Sequence, residues 1–266
     1  MKNITLYPLS DESLRTRLFL HGVLAVMPEF VRLLALHEKD SWQADYGVLF
    51  STTKGWRSGV YFQSDQAQWI GDKHLPNTIH LHFFTHRQLN NLFLQRGNYL
   101  PVPLSGWTQM YKLQSFKKLA ENLNHYLKPN KKDMLDPGML EIHVRISLAL
   151  IVHALKELAT HEAYSAQLLG GGPEGLLTFA VGRESEWAWI DYQRNNTTCG
   201  LGKPSRQAEV CVRFANCHLA ADVLADHSDA LAEVGLGNIQ VEGLAPLADN
   251  LGYVMQRIRR YLDTCP

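Results

Sequence analysis

The chain has 266 residues, of which 45% are hydrophobic and 20% charged, with 26 Lys and Arg against 26 Asp and Glu. This length predicts one large domain or two ordinary ones. The composition is that of a globular protein and excludes disordered, collagen-like and disulfide-scaffold proteins. A net charge of zero argues against a generally basic nucleic-acid-binding protein, so we expect no nucleic-acid partner.

The neutral total hides two unlike halves. Residues 1–128 carry 14 Lys and Arg against 9 Asp and Glu, which gives +5, whereas residues 129–266 carry 12 against 17, which gives −5. Opposite charges at short range attract, within the screening length of roughly 8–10 Å. We therefore predict that the halves attract each other, either within one chain or head-to-tail in a homodimer.

The cysteines and the chain start bear on the compartment. None of the cysteines forms a C-x-x-C pair, which argues against zinc-type spacing and favours a reduced compartment. They are Cys199, Cys211, Cys217 and Cys265. The first residues lack the apolar stretch of roughly 7–15 residues of a signal peptide. No run reaches the roughly 18 apolar residues of a membrane helix, since His21 and Gly22 interrupt Leu18–Val26. We expect a cytoplasmic protein without stable membrane insertion.

In chain order, the first half begins with a long helical region, for which Ser10 is the predicted N-cap. Pro28 is expected to break this region into two helices. A three-strand meander follows, and then the alternating strand 78–83, after which Thr85 is placed to cap a short helix. A fifth strand is expected within residues 106–113. The closing helix is indicated by apolar residues at helical spacing, namely Phe116, Leu119, Leu123 and Tyr126.

The second half repeats this order after a polar linker at residues 129–138. Its first helix is predicted to begin at Pro137 with Asp136 as N-cap. At an offset of 131 from the first half, strand 209–214 is followed by the predicted cap Asn216. Residues 237–244 then match 106–113. Upstream matches include Trp56 with Trp187.

The ordered matches predict an α+β fold built from two tandem, divergent domains. We assign the first domain to residues 1–128 and the second to residues 139–266, with residues 129–138 as the linker. Each domain is expected to hold a roughly five-stranded, mostly antiparallel sheet with helices over one face.

The second copy resembles the sterol carrier protein two family. The resemblance rests on the strand 208–214, the cap Asn216, the glycine-flanked segment 237–243 and the apolar helix that contains residues 247–251. It covers roughly residues 139–263, and through the repeat it extends to about 10–128. The sequence departs from the family pattern where Asn238 replaces a common lysine and where Lys112 stands in place of Gly243.

This resemblance implies an apolar tunnel between sheet and helices that holds a sterol, fatty acid or acyl-CoA ester. Bacterial relatives act as accessory factors in isoprenoid-quinone synthesis. The implied function is therefore non-enzymatic binding or transport of an apolar lipid, without a cofactor. The residues of suitable type and spacing for a lipid-binding site are Phe214, Leu224, Val241, Leu251, Val254, Met255 and Ile258. The same residues would also suit a closed core, as in a scaffold protein of a lipid-modifying assembly, and an enzyme that acts on a lipid or CoA ester is a second alternative.

Several histidines are candidates for metal binding or catalysis. His80 and His82 alternate on one strand and so share a face, where His74 or His86 could complete a metal site. No carboxylate is close in sequence, and we favour a polar, solvent-facing strand without a metal. The adjacent pairs His37–Glu38 and His161–Glu162 diverge on a helix, which favours structural roles. We assign no catalytic residue.

Overall fold

The computed structural model describes residues 10–38, 44–97, 100–130, 132–183 and 186–262. These residues form two compact units. The N-terminal unit comprises residues 15–142, and the C-terminal unit comprises residues 143–262 together with residues 10–14. The boundary between the units falls inside the helix Pro137–His161. The domain limits expected from the sequence, 1–128 and 139–266, stay a prediction.

The chain opens with α1 (Asp11–Arg17), a π-helical segment (Leu18–Val23) and α2 (Leu24–Glu38). Ser10 caps this region as predicted, because its Oγ accepts the Ser13 N–H at 3.3 Å. The expected break at Pro28 is wrong, since Pro28 lies inside α2. Pro28 has no N–H and therefore cannot donate a hydrogen bond to the carbonyl of Leu24, four residues earlier. Leu24 directly follows the wider π-helical segment, which ends at Val23. Burial of the flanking side chains Leu20 and Phe30 holds the segment helical.

The N-terminal unit contains a mixed five-stranded sheet. Its strands are β1 (Ala44–Thr52), β2 (Arg57–Ser64), β3 (Gln66–Gly71), β4 (Thr78–Phe83) and β5 (Val102–Ser105). The spatial order is β3-β2-β1-β4-β5, with β1 and β4 parallel and the other neighbours antiparallel. Its remaining helices are α3 (His86–Phe93), a 3₁₀ segment (Trp107–Lys112) and α4 (Leu113–Leu127). β3 and β5 are therefore the sheet edges.

The fifth strand was expected within residues 106–113, which is wrong. Strand β5 precedes Gly106, and the residues after it form the 3₁₀ segment. Gly106 has φ +80°, and a Cβ there would lie 2.6 Å from the Thr78 carbonyl oxygen. Only glycine allows this close, left-handed approach to β4, so the chain turns away from the sheet at Gly106.

The apolar core of this unit lies between one sheet face and the helices. Residues Val48 and Phe50 of β1 point to this face, and the Phe116 ring of α4 lies 5.8 Å from the Phe50 ring. Side chains of β1 alternate between faces, so Leu49 and Ser51 point to the opposite face.

The C-terminal unit contains a second sheet with the same strand order. Its strands are β6 (Gly175–Val181), β7 (Glu186–Tyr192), β8 (Thr198–Leu201), β9 (Val210–Phe214) and β10 (Ile239–Gly243). The order is β8-β7-β6-β9-β10, with β6 and β9 parallel. Its helices are α5 (Pro137–His161), α6 (Ala163–Gly170), α7 (Cys217–Leu224), α8 (Ala230–Gly235) and α9 (Ala245–Leu262). The predicted α+β class and five-stranded, mostly antiparallel sheets are confirmed.

Local details recur in both units. Thr85 Oγ1 accepts the Gln88 N–H at 3.2 Å, and Asn216 Oδ1 accepts the Leu219 N–H at 2.9 Å, which confirms both predicted caps. Asp136 Oδ1 likewise accepts the Gly138 N–H at 2.8 Å, as predicted for the start of α5.

The matched tryptophans also share a type of contact. The Arg17 guanidinium lies 5.4 Å from the ring centre of Trp56, and the Arg145 guanidinium lies 4.0 Å from that of Trp187. Each unit therefore places an arginine from its opening helical region over the face of a tryptophan from its sheet region.

Two helical stretches, Asp11–Leu36 and Pro137–His161, are long and apolar enough to cross a membrane. These stretches reach that length by mean hydropathy, although His21 and Gly22 interrupt the apolar run of the first. In each stretch more than half of the most apolar window is buried inside the protein, 67% and 56% respectively. Such burial is typical of core helices, in which apolar side chains face other parts of the fold.

Candidate functional site

An apolar layer lies between α9 and one face of the second sheet. Helix α9 contacts β6, β9 and β10. Phe214 of β9 pairs with Ile239 of β10, and two residues further along Val212 pairs with Val241, so these four side chains share a face. A Cβ on Gly175 would lie 3.0 Å from Leu247 Cδ2 of α9, which shows how closely the helix approaches β6.

The structure places the predicted lipid-binding residues in and around this layer. Four of them are almost fully buried, with exposed fractions of 6% or less: Phe214, Leu251, Val254 and Ile258. Val241 is 38% exposed, and Leu224 and Met255 are half-buried. The layer is therefore closed at its centre and reaches solvent at some of its outer positions. The lipid-binding role of these residues stays a prediction.

The β10 side of the C-terminal unit carries further exposed apolar side chains. Helix α8 contacts β10 and carries the exposed Leu231, and Leu236, directly after the helix, is exposed as well. Leu244, directly after β10, is also exposed. Contiguous apolar patches are typical of ligand or partner sites, and these exposed side chains lie within and beside elements that contact each other.

A buried charged cluster ties the junction of α5 and α6 to α9. The carboxylate of Glu162 accepts hydrogen bonds from Arg257 Nε, at 2.8 Å to each oxygen, and from the Tyr261 hydroxyl at 2.5 Å. Ser165 Oγ also donates to it, and the Arg257 guanidinium lies 4.4 Å from the ring centre of Tyr164. The structural role predicted for Glu162 fits this arrangement. Arg257 and Tyr261 were missed, since no local pattern links residues so far apart in sequence.

The electrostatics of this cluster favour the ionised pair. Burial alone would raise the pKa of Glu162, but hydrogen bonds from Arg257, Ser165 and Tyr261 hold the pKa below its usual 4.5. The hydrogen bond to Glu162 raises the pKa of Arg257 further. The pKa of Tyr261 is raised to about 12, mainly by burial and to a smaller extent by the hydrogen bond to Glu162. A carboxylate held ionised and fully paired in this way fixes two helices and is not available as a general base.

A second polar cluster lies on the N-terminal sheet, on the face opposite α4. Ser51 Oγ lies 2.7 Å from His80 Nε2 and 2.9 Å from His82 Nδ1. The expectation that both histidines share a face is therefore confirmed. The expectation of a solvent-facing strand is wrong, because His80 is buried and His82 is half-buried. A buried imidazole keeps its neutral form more easily, and burial lowers the pKa of His80.

This cluster can relay a proton, because the Ser51 hydroxyl can donate to one imidazole while it accepts from the other. It does not present a nucleophile to a substrate, since Ser51 is 2% exposed. The two histidines suggested as further metal ligands have other partners. His74 Nε2 is hydrogen-bonded to Ser105 Oγ at 3.2 Å, and the His86 ring packs against the Trp56 ring. Among the residues that the structure describes, no three His, Cys, Asp or Glu side chains are grouped so that they could hold a metal.

The C-terminal unit also brings together a thiol and an imidazole. Cys199 Sγ lies 3.4 Å from His153 Nδ1. Burial raises the pKa of Cys199 to about 11 and lowers the pKa of His153 to about 4. Both groups are therefore neutral at neutral pH, and the thiolate that nucleophilic catalysis needs is disfavoured.

A surface depression with a volume of about 380 Å³ lies beside the loop 203–208. Its lining is largely polar and includes Glu186, Lys203 and Arg206. None of the predicted lipid-binding residues lines it. Arg206 is paired with Asp191 and Glu209, so its charge is already compensated. We therefore locate the candidate site at the apolar layer under α9.

No protein-family model matches the chain, and no curated protein matches it. Several solved structures are similar in fold, all with low TM-scores. The sterol carrier protein domain 2 of Helicoverpa armigera is 14% identical with a TM-score of 0.33, over 45% of this chain and 91% of that one. Sterol carrier protein 2 like 2 of Aedes aegypti is 17% identical with a TM-score of 0.28, over 42% of this chain and 98% of that one. The stereoselective inverting sec-alkylsulfatase Pisa1 from Pseudomonas sp. is 13% identical with a TM-score of 0.28, over 55% of this chain and 28% of that one.

Proposed function

We propose that this protein binds an apolar lipid between α9 and the sheet of its C-terminal unit, without catalysis. The observation that carries the proposal is the partial opening of the apolar layer. Its centre is buried at Leu251 and Val254, while Val241 and Met255 keep contact with solvent. An acyl chain entering beside Val241 would exchange water for apolar side chains, at about 0.8 kcal/mol per buried methylene.

The proposal extends to the organisation of the whole chain. We interpret the two units as tandem, divergent copies of one sterol-carrier-like domain that carries or transfers lipid. The shared strand order, the paired caps Thr85 and Asn216 and the two arginine–tryptophan contacts support this interpretation. We propose a cytoplasmic, bacterial-type protein that does not insert stably into membranes and that associates with itself through its oppositely charged halves.

Native mass spectrometry of freshly purified protein and displacement of a fluorescent fatty-acid or sterol analogue test the lipid proposal. Met255→Glu places a charge at the edge of the layer, and we expect it to weaken binding of the analogue by about tenfold or more. Tyr253→Glu is the matched control, because Tyr253 is exposed on the same helix. Failure of the wild-type protein to bind any apolar probe would overturn the proposal, as would equal effects of the two substitutions.

One observation favours a second function, that of a ligand-free interaction or scaffold protein. Phe214, Leu251, Val254 and Ile258 are buried as deeply as the residues of a closed core. A protein of this kind would bind no lipid and would be recovered with a stoichiometric partner. The enzyme alternative predicts an activity on lipid or CoA esters that the double substitution His80→Ala/His82→Ala abolishes.

A further inference from the structure

The two sheets carry opposite charges around equivalent edge strands. Residues 73–120, which include β4, α3, β5 and the start of α4, contain six Lys and Arg and no Asp or Glu. Residues 214–256, which include α7, α8, β10 and most of α9, contain six Asp and Glu and no Lys or Arg. We call these segments the basic edge and the acidic edge. Lys117 is paired with Glu121 and Asp226 with Arg259, both partners outside the segments, and the remaining charges leave the two segments with opposite net charge.

Each edge also exposes large apolar side chains. On the basic edge the exposed fractions are 54% for Leu104, 66% for Trp107 and 70% for Tyr111. On the acidic edge they are 79% for Leu231 and 73% for Leu236. These side chains are therefore available to a second molecule. Apolar side chains beside complementary charge are typical of protein interfaces, which combine an apolar centre with a polar rim.

Both edges end in a strand with one free side. β5 pairs only with β4, and β10 pairs only with β9, within the described strands. The free side of an edge strand leaves backbone N–H and C=O groups that can pair with another strand. The corresponding backbone positions in β5 and β10 are thus available together with the charges and the apolar side chains.

We propose that the basic edge of one copy of this chain binds the acidic edge of a second copy, head-to-tail. The contact is heterologous, because it joins two different surfaces, and it closes into a dimer or ring or continues as a chain of molecules. Charge sets the orientation: basic edges repel each other, and so do acidic edges, which leaves the mixed contact as the favoured one. The proposal rests on the self-association proposed above and does not depend on lipid binding.

The test uses the full chain in sedimentation velocity at low and high salt. We expect a mass above that of the 30.2 kDa monomer at low salt and a smaller average mass at high salt. Lys117→Glu/Lys118→Glu makes the basic edge more acidic, and Glu242→Lys/Asp249→Lys makes the acidic edge more basic. All four side chains are exposed. Each double variant should weaken self-association by about tenfold or more, since it lowers the net charge of one edge from six to two.

Mixing the two double variants is the decisive step. The first variant keeps its acidic edge unchanged and the second keeps its basic edge unchanged, so the mixture restores the wild-type contact and should assemble more strongly than either variant alone. Lys54→Glu/Lys132→Glu is the matched control, because it changes the net charge equally at exposed positions outside the basic edge. Trp107→Ser should weaken assembly without any change in charge, whereas Leu36→Ser, at another exposed apolar position, should not.

Several outcomes would overturn the proposal. One is a wild-type protein that stays monomeric at every salt concentration up to its solubility limit. Another is a mixture of the two double variants that stays monomeric. A third is a monomer that binds phosphatidylserine-containing vesicles through Trp107, since this would assign the basic edge to a membrane surface. Displacement of a lipid analogue is measured separately, so failure here is distinguishable from failure of the lipid proposal.

Discussion

The substitution Glu162→Gln tests the buried cluster that joins α6 to α9. Glu162 is 6% exposed, and its carboxylate accepts from Arg257, Tyr261 and Ser165. Removing the charge leaves the Arg257 guanidinium without its ionic partner. Loss of one partner of a buried ion pair costs about 3–5 kcal/mol. Because the Arg257 side chain keeps 23% of its exposure, water compensates part of this loss. We therefore expect destabilisation by about 2–3 kcal/mol, below the full buried-pair value.

Urea unfolding followed by circular dichroism measures this loss. With a slope of about 1–3 kcal/mol per molar urea, a loss of this size lowers the midpoint by about 0.7–3 M. The control is Arg206→Gln, which breaks the ion pairs with Asp191 and Glu209 of an arginine whose side chain is 41% exposed. Pairs at this exposure contribute about 0–1 kcal/mol. Equal midpoint shifts for the two variants would refute the reasoning.

A double substitution separates the ion pair from simple packing. Glu162→Gln combined with Arg257→Met removes both charges, and we expect it to be more stable than Glu162→Gln alone, because no buried charge is left unpaired. The pH dependence gives a second check. The folded-state pKa of Glu162 lies below 4.5, so its contribution to stability is complete above about pH 4.5 and is lost as the pH falls through the folded-state pKa. Glu162→Gln should remove this part of the acid sensitivity.

Three further predictions concern the C-terminal unit. The pKa of His153, about 4 when folded and 6.5 ordinarily, means that its contribution to stability is complete above about pH 6.5 and is lost as the pH falls towards 4. His153→Gln should flatten the stability profile in this window, unlike His218→Gln at an exposed position. Since the pKa of Cys199 is about 11, peptide-resolved thiol labelling at pH 8 should modify Cys199 more slowly in the folded than in the unfolded protein. Gly243→Ala should destabilise by about 1–3 kcal/mol or more, because Gly243 has φ +101° and a Cβ there would lie 2.0 Å from the Glu209 carbonyl oxygen. Gly202→Ala, at φ +72° with no atom within 4 Å of the added Cβ, should cost less.

Local signals in the sequence predicted local structure well. Thr85 and Asn216 were identified as caps because a hydroxyl or amide oxygen at that position satisfies helix N–H groups within three residues. The shared face of His80 and His82 followed from the two-residue period of a strand. Each of these inferences depends on neighbours a few residues away.

The predictions that were wrong concern packing between distant parts of the chain, which a single sequence does not show. Gly106 was aligned with Gly237 as the start of a strand, but its position is set by close approach to β4, a contact between distant parts of the chain. The burial of His80 and the pairing of Glu162 with Arg257 have the same origin. Pro28 kept its helix because the neighbouring apolar side chains are buried, which outweighs the lost hydrogen bond.

Strand β10 takes part in both the proposed lipid binding and the proposed self-association. It borders the apolar layer at Val241, and it is also the free strand of the acidic edge. A lipid entering beside Val241 and a second copy pairing along β10 would compete for one surface. Thermodynamic reciprocity then requires assembly to weaken lipid binding by the same factor by which lipid weakens assembly. Protein concentration itself would therefore regulate cargo, with dilute chains loading lipid and crowded chains releasing it.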